Sequence, residues 1–210
     1  ISRWLSYHGS TMGSLSWTGM TGRRAEYDPM LTASPHIAPG YCYRCWFGRE
    51  PGICSFECAH ALETAILTEG PDTVAAFIAE PVVGSALGAA CPPTGYFRVI
   101  RDICDRHGVL FIAEEVMTGA GRTGGKFFAS DHFPGRPDII VFGKGVGGGY
   151  YPLAGVLISR EMADTIAAGP GVFAAGQSHS GHPVGMADGL ATLDYIYEHD
   201  LVGRAAEMGV

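Results

Sequence analysis

Residues 95–116 read GYFRVIRDICDRHGVLFIAEEV. Phe97, Ile100, Ile103 and Cys104 recur at helical spacing, Gly108 stops the pattern, and an unbroken apolar run follows. An amphipathic helix that passes through glycine into a fully apolar strand is half of a βαβ unit. The strand closes on two carboxylates, Glu114 and Glu115.

The same grammar extends in both directions. Upstream, FECAHALETAILTEG (56–70) predicts a helix stopped by Gly70, and TVAAFIAEPVV (73–83) predicts a buried strand. Downstream, DIIVFGK (138–144) and PLAGVLIS (152–159) predict two more strands, and EMADTIAAG (161–169) and PVGMADGLATLDYIYEH (183–199) predict helices. ISRW at the start is strand-like, whereas 7–56 is loop-rich in Gly, Ser, Thr and Pro. Continuous apolar strands separated by helices predict an α/β fold with a parallel sheet covered on both faces.

Composition narrows the function classes. The 210 residues carry a formal charge of −7, which disfavours nucleic acid and anionic membrane surfaces as partners. No apolar run approaches the roughly 18 residues of a membrane helix, since the best candidate is broken by Glu80 and Pro81. The 31 glycines are roughly twice the usual share and cluster beside apolar runs, as backbone near a ligand or in tight turns does. Four of six cysteines crowd together as Cys42-x2-Cys45-x8-Cys54-x3-Cys58. That spacing is read either as a metal site or as a loop of reduced, half-buried thiols. Cys91 and Cys104 stand alone.

Ligands of open parallel sheets bind beyond the carboxyl ends of the strands. Here those ends carry Glu80, then Glu114 and Glu115, then Lys144 between Gly143 and Gly145. A lysine in a partly desolvated rim is a ready amine nucleophile, and the flanking glycines leave room for a flat ring. By strand alternation Glu114 and Val116 share one face, a carboxylate and an apolar group suited to a pyridinium ring, and Glu115 points away as a structural group. Gly119-Ala120-Gly121-Arg122-Thr123-Gly124 matches a dinucleotide fingerprint literally. Two glutamates beside the anion and no convincing helix after it argue against that reading.

These runs, with FIAEPVVG (77–84), PPTG opening the 92–124 stretch, PDIIVFGKGVGGGYYPLAGVL (137–157), GQSHSGHPVG (176–185) and YHGSTMGSLSWTG (7–19), resemble the class III aminotransferases. These are pyridoxal 5'-phosphate (PLP) enzymes of fold type I. The resemblance implies a three-layer α/β large domain over residues 1–210. It places the phosphate-loop segment before residue 1 and a small domain after residue 210. It implies transfer of an amino group from an amine or ω-amino acid donor to a 2-oxo acid, in a cytoplasmic homodimer. Lys144 matches the lysine that forms the Schiff base with the cofactor and shuttles the proton. Glu114 falls on the aspartate that pairs with the pyridine nitrogen, and Val116 on the apolar residue under the ring. Tyr7 matches the stacking aromatic, followed by His8 and Gly9. Ser178 falls on the threonine that reaches the phosphate of the partner subunit's cofactor, and Glu80 on an acidic residue near the site. No residue of this set is a metal ligand.

Several positions depart from the family pattern. Glu114 stands for Asp, Met117 for a glutamine that bonds the cofactor's phenolic oxygen, and Gln177 and His179 for the usual His and Tyr. A thioether is no donor, so Met117 gives up that contact. Ser85 replaces a glutamate of the ornithine and aminobutyrate relatives, which disfavours those two substrates. The departures leave a second reading open, a catalytically impaired relative or fragment that acts as a structural partner. A metal-binding module on the Cys42–Cys58 loop is a third.

Overall fold

The computed structural model describes residues 1–169 and 175–209. They form two compact units, Ile1–Glu114 with Ser130–Pro137, and Glu115–Ala129 with Asp138–Val210.

In the first unit, strands β1 (Ser2–Arg3) and β2 (His36–Ile37) pair in parallel. Helices α1 (Met12–Trp17) and α2 (Thr21–Arg24) lie between them in the chain. Helix α3 (Glu57–Glu69) leads to β3 (Ala76–Ala79), and α4 (Tyr96–His107) leads to β4 (Leu110–Glu114). β3 and β4 pair in parallel, with Phe77 opposite Phe111. The periodicity of 95–108 holds as read: Phe97, Ile100, Ile103 and Cys104 are buried. Gly108 ends the helix in the left-handed conformation, its N–H donating to the Cys104 carbonyl, a glycine C-terminal stop. Leu62 and Ile66 of α3 meet the same core, where Phe97 stacks on Phe111 at 5.7 Å between centroids. The stretch 7–56 is less irregular than its composition predicts. Its elements run two to six residues, too short for any period to show in the sequence.

In the second unit, β5 (Ile139–Phe142) pairs with β6 (Gly155–Ile158) antiparallel, Ile139 opposite Ile158 and Phe142 opposite Gly155. The expectation of parallel pairing fails for this strand. A parallel return is usually made by a crossover helix that carries the chain back along the sheet, and only a four-residue 3-10 turn at Lys144–Gly147 and a loop join β5 to β6. Helices α5 (Arg160–Ala168), α6 (Pro183–Glu198) and α7 (Leu201–Met208) follow. The pairing of β1–β2 and β3–β4 keeps the class α/β.

The 119–124 fingerprint serves packing. A Cβ on Gly121 would stand 2.6 Å from Cγ2 of Val202, and one on Gly124 would stand 2.6 Å from Cα and N of Ala206, both in α7. The Gly125 N–H donates to the Val202 carbonyl at 3.1 Å. These glycines let a loop lie directly on a helix, and no helix opens after them to receive a pyrophosphate.

Candidate active site

The end of β3 and the end of β4 bring three ionisable side chains of the first unit together. One ligand atom each of His8, Glu80 and Glu114 lies within 4.8 Å of the others. Glu80 and Glu114 are 4% and 7% exposed. His8 Nδ1 lies 3.4 Å from Glu114 Oε2, and the His8 side chain is 1% exposed. Glu80 is clasped by backbone: Oε1 accepts the Tyr7 N–H at 2.9 Å and Oε2 accepts the Gly84 N–H at 3.1 Å. Burial pushes the Glu80 carboxyl above its ordinary range, with Glu114 adding to the rise and the Tyr7 N–H and Arg3 charge opposing it.

The 7–19 segment is built to deliver His8. Its N–H donates to Thr18 Oγ1 at 2.9 Å, and Gly9 turns the chain at φ +126°, where a Cβ would stand 2.7 Å from Ser14 Oγ. Tyr7 is half-buried. Its hydroxyl bonds Ser10 Oγ at 2.8 Å, and the Arg23 guanidinium lies 4.7 Å from its ring centroid. The ring expected to stack thus already carries a cation.

Arg3 escaped the sequence reading. It is 1% exposed, its Nη2 donates to the Glu80 carbonyl at 2.6 Å, and its guanidinium carbon lies 5.8 Å and 6.0 Å from the Tyr96 and Phe97 ring centroids. A lone arginine inside the opening strand was the available signal, because such a charge is rarely buried without a task.

In the second unit, Glu115 is fully buried, as a structural group should be. Its carboxylate accepts the Thr118 hydroxyl and, at 3.0 Å, the Ala129 N–H, which pins the two ends of 115–129. Val116 and Met117 are half-buried in the turn after β4. The strand stops at Glu114, so the alternation that would put Glu114 and Val116 on one face does not extend to Val116. Val116 instead lies beside Gly143, its Cγ1 3.5 Å from where a Cβ of that glycine would be.

Lys144 opens the 3-10 turn after β5 at φ +47°. Its side chain is exposed rather than partly desolvated. Extended Gly143 (φ −177°) followed by a left-handed lysine swings the chain out of the strand direction. Gly145 lies against Ala120, where a Cβ would meet that side chain at 2.8 Å. Ser178 is exposed in a turn in which the Ser180 hydroxyl accepts the Gln177 N–H at 3.2 Å.

The four clustered thiols share one cavity, although no three of their sulfurs come within 4.8 Å of one another. Cys42, Cys45, Cys54 and Cys58 are half-buried, reduced, and line one small cavity of the first unit. Burial pushes Cys58 up to about 11, and Cys42, Cys54 and Cys45 add to the rise.

The family model for class-III aminotransferases matches residues 1–210. An uncharacterized aminotransferase of Bacillus subtilis, YodT, is 39% identical over all of this chain and 47% of its own length. The diaminobutyrate–2-oxoglutarate transaminase of Halomonas elongata is 41% identical over all of the chain and 45% of its own. The crystal structure of the ω-transaminase of Pseudomonas jessenii in complex with PMP superposes on 100% of the chain with a TM-score of 0.92, at 38% identity and over 47% of its own length. The chain spans about half the length of the curated relatives it matches. With the motifs, the α/β fold and the whole-length match in agreement, this chain belongs to the class III aminotransferases.

Proposed function

We propose that these residues form the cofactor-binding part of a PLP-dependent aminotransferase, which moves an amino group from an amine or ω-amino acid donor to a 2-oxo acid. The observation that carries the reading is the buried His8–Glu114 pair at the end of β4. A buried carboxylate at a strand end accepts charge-assisted hydrogen bonds that water does not dilute. A protonated ring nitrogen suits that position, and bound pyridoxal phosphate would supply an electron sink that depends on that proton. The donor set therefore fits the group. Glu114 would hold the ring proton, and His8 would fix the carboxylate by its contact with Oε2.

In the second unit, Lys144 offers the one amine at the end of β5. Exposed at that turn, Lys144 would be the residue that holds the cofactor through its amine and would supply the group that carries the proton. Val116 would supply the apolar face and Tyr7 an aromatic one. Met117 has no hydrogen to donate, so the phenolic oxygen must find another donor. Glu80 and Arg3 keep the strand ends in place around the site. Ser178, exposed in its turn, suits a reach toward the phosphate held by a partner subunit, and we include a homodimer in the proposal.

The test is the full-length protein with cofactor. A visible absorbance band should be present in wild type and abolished in Lys144→Ala, together with turnover of an amine donor. A wild type that binds PLP without that band refutes the reading. It would favour the impaired relative, to which the glutamate at 114 otherwise lends support.

A further inference from the structure

The geometry points to a structural zinc site formed by Cys42, Cys45, Cys54 and Cys58, outside the cofactor site and unconnected with transamination. All four side chains line one cavity of about 10 Å³, the room of a single water-sized sphere. Such a space is too small for any organic ligand and large enough for one ion. The first pair spans a 3-10 turn, Cys42–Arg44, which places residues three apart side by side. The second pair brackets the start of α3, where Phe56 in the left-handed region (φ +57°) reverses the chain between Cys54 and Cys58. Arg49 closes the loop from outside, its Nε donating to Glu57 Oε1 at 2.6 Å, while the Ser55 N–H donates to Glu57 Oε2 at 3.2 Å.

A second observation is what the loop lacks. Tyr43, Trp46, Phe47 and Ile53 are 79%, 53%, 43% and 78% exposed. Within these residues the loop buries few of its large apolar side chains, and small units with little core are held by disulfides or metals. No disulfide joins these cysteines. Four thiolates in two short-spaced pairs select a soft, tetrahedral ion, zinc before magnesium or calcium.

Binding replaces four S–H bonds with four Zn–S bonds and releases four protons, leaving a site of net charge −2 in a cavity that Arg49, Glu50 and Glu57 also line. Among the described residues, the one set of three ligand atoms within 4.8 Å is His8, Glu80 and Glu114. The four sulfurs therefore stand wider than the ~3.8 Å separations of a tetrahedral Zn–S₄ centre. The ion must draw the loop inward, and that contraction is the expected signature.

The full-length protein, purified without chelators, should contain one zinc per chain by elemental analysis. Cys42→Ser/Cys54→Ser should lose it, and Cys91→Ser, at an exposed cysteine outside the cluster, should keep it. In metal-stripped wild type, one equivalent of zinc should protect four thiols from a thiol reagent and leave Cys91 reactive. Cobalt in its place should give the visible bands of a tetrahedral thiolate complex. Zinc content unchanged in the double variant overturns the proposal. So do four thiols that stay reactive at one equivalent of zinc, or a disulfide among the four in freshly purified protein. The thiol-protection measurement needs no variant, so it decides the matter even if the double variant fails to fold.

Discussion

Replacing Gly124 with alanine tests the packing role of the 119–124 glycines most directly. The new Cβ would stand 2.6 Å from Cα and N of Ala206 and 3.0 Å from the carbonyl carbon of Ala205. All three are backbone atoms of a helix and cannot rotate away. The position also has φ +72°, where an L side chain costs about 1–2 kcal/mol. Overpacking against an unyielding neighbour adds about 1–3 kcal/mol, for a total of about 2–5 kcal/mol. Gly108→Ala is the matched control, because φ is +63° and a Cβ there meets nothing within 4 Å. Equilibrium urea unfolding of the full-length protein should separate the two variants by about 1–3 kcal/mol, the overpacking part alone. Gly121→Ala should behave differently again. Its obstacle is a side-chain carbon of Val202, so Val202→Ala should restore much of the loss there and none of it at Gly124. If Gly124→Ala and Gly108→Ala unfold within about 0.5 kcal/mol of each other, additivity error covers the gap and the close contact with α7 is not what those glycines serve.

Two further outcomes follow from the buried carboxylates. Glu114→Gln keeps the shape and removes the charge, so turnover by the full-length enzyme should fall on the order of 10²–10³-fold; an unchanged turnover would mean the ring proton is held elsewhere. Glu80 has a carboxyl raised above 4.5 by burial, so the folded state binds its proton more tightly than the unfolded chain. Its contribution to stability is then fully present below that ordinary value and is lost as pH rises through the raised one. Measured against Glu80→Gln, which does not titrate there, wild type should lose relative stability as pH rises above the ordinary value of 4.5. Parallel stability curves over that range would contradict the raised value.

Much of this was legible in the sequence because it rests on long-period signals. The α4–β4 unit was readable since five buried residues of α4 follow its period and Gly108 ends it. Glu80, Glu114 and Lys144 stood out as the charges closing apolar runs. The direction of β6 was missed because periodicity reports burial, not strand polarity; the lack of an α-helix between Phe142 and Gly155 carried that information. The burial of Arg3 was missed for a different reason. Its Nη2 bonds the Glu80 carbonyl, 77 residues away along the chain, and the Glu80 carboxyl feels its charge; no local pattern encodes such a contact. The exposure of Lys144 turns on one left-handed residue, which composition does not announce.

Strand β6 has a consequence for anyone who handles these residues by themselves. Among the described strands it pairs with β5, and Val156, Leu157 and Ile158 are 58%, 46% and 42% exposed, so both of its faces meet water. Three successive apolar residues on such a strand form a template for another copy of the same strand. Loss of material at this length would then be a bimolecular event, faster with each doubling of concentration. Dilution would preserve it, because the rate of a step between two molecules falls with the concentration of each.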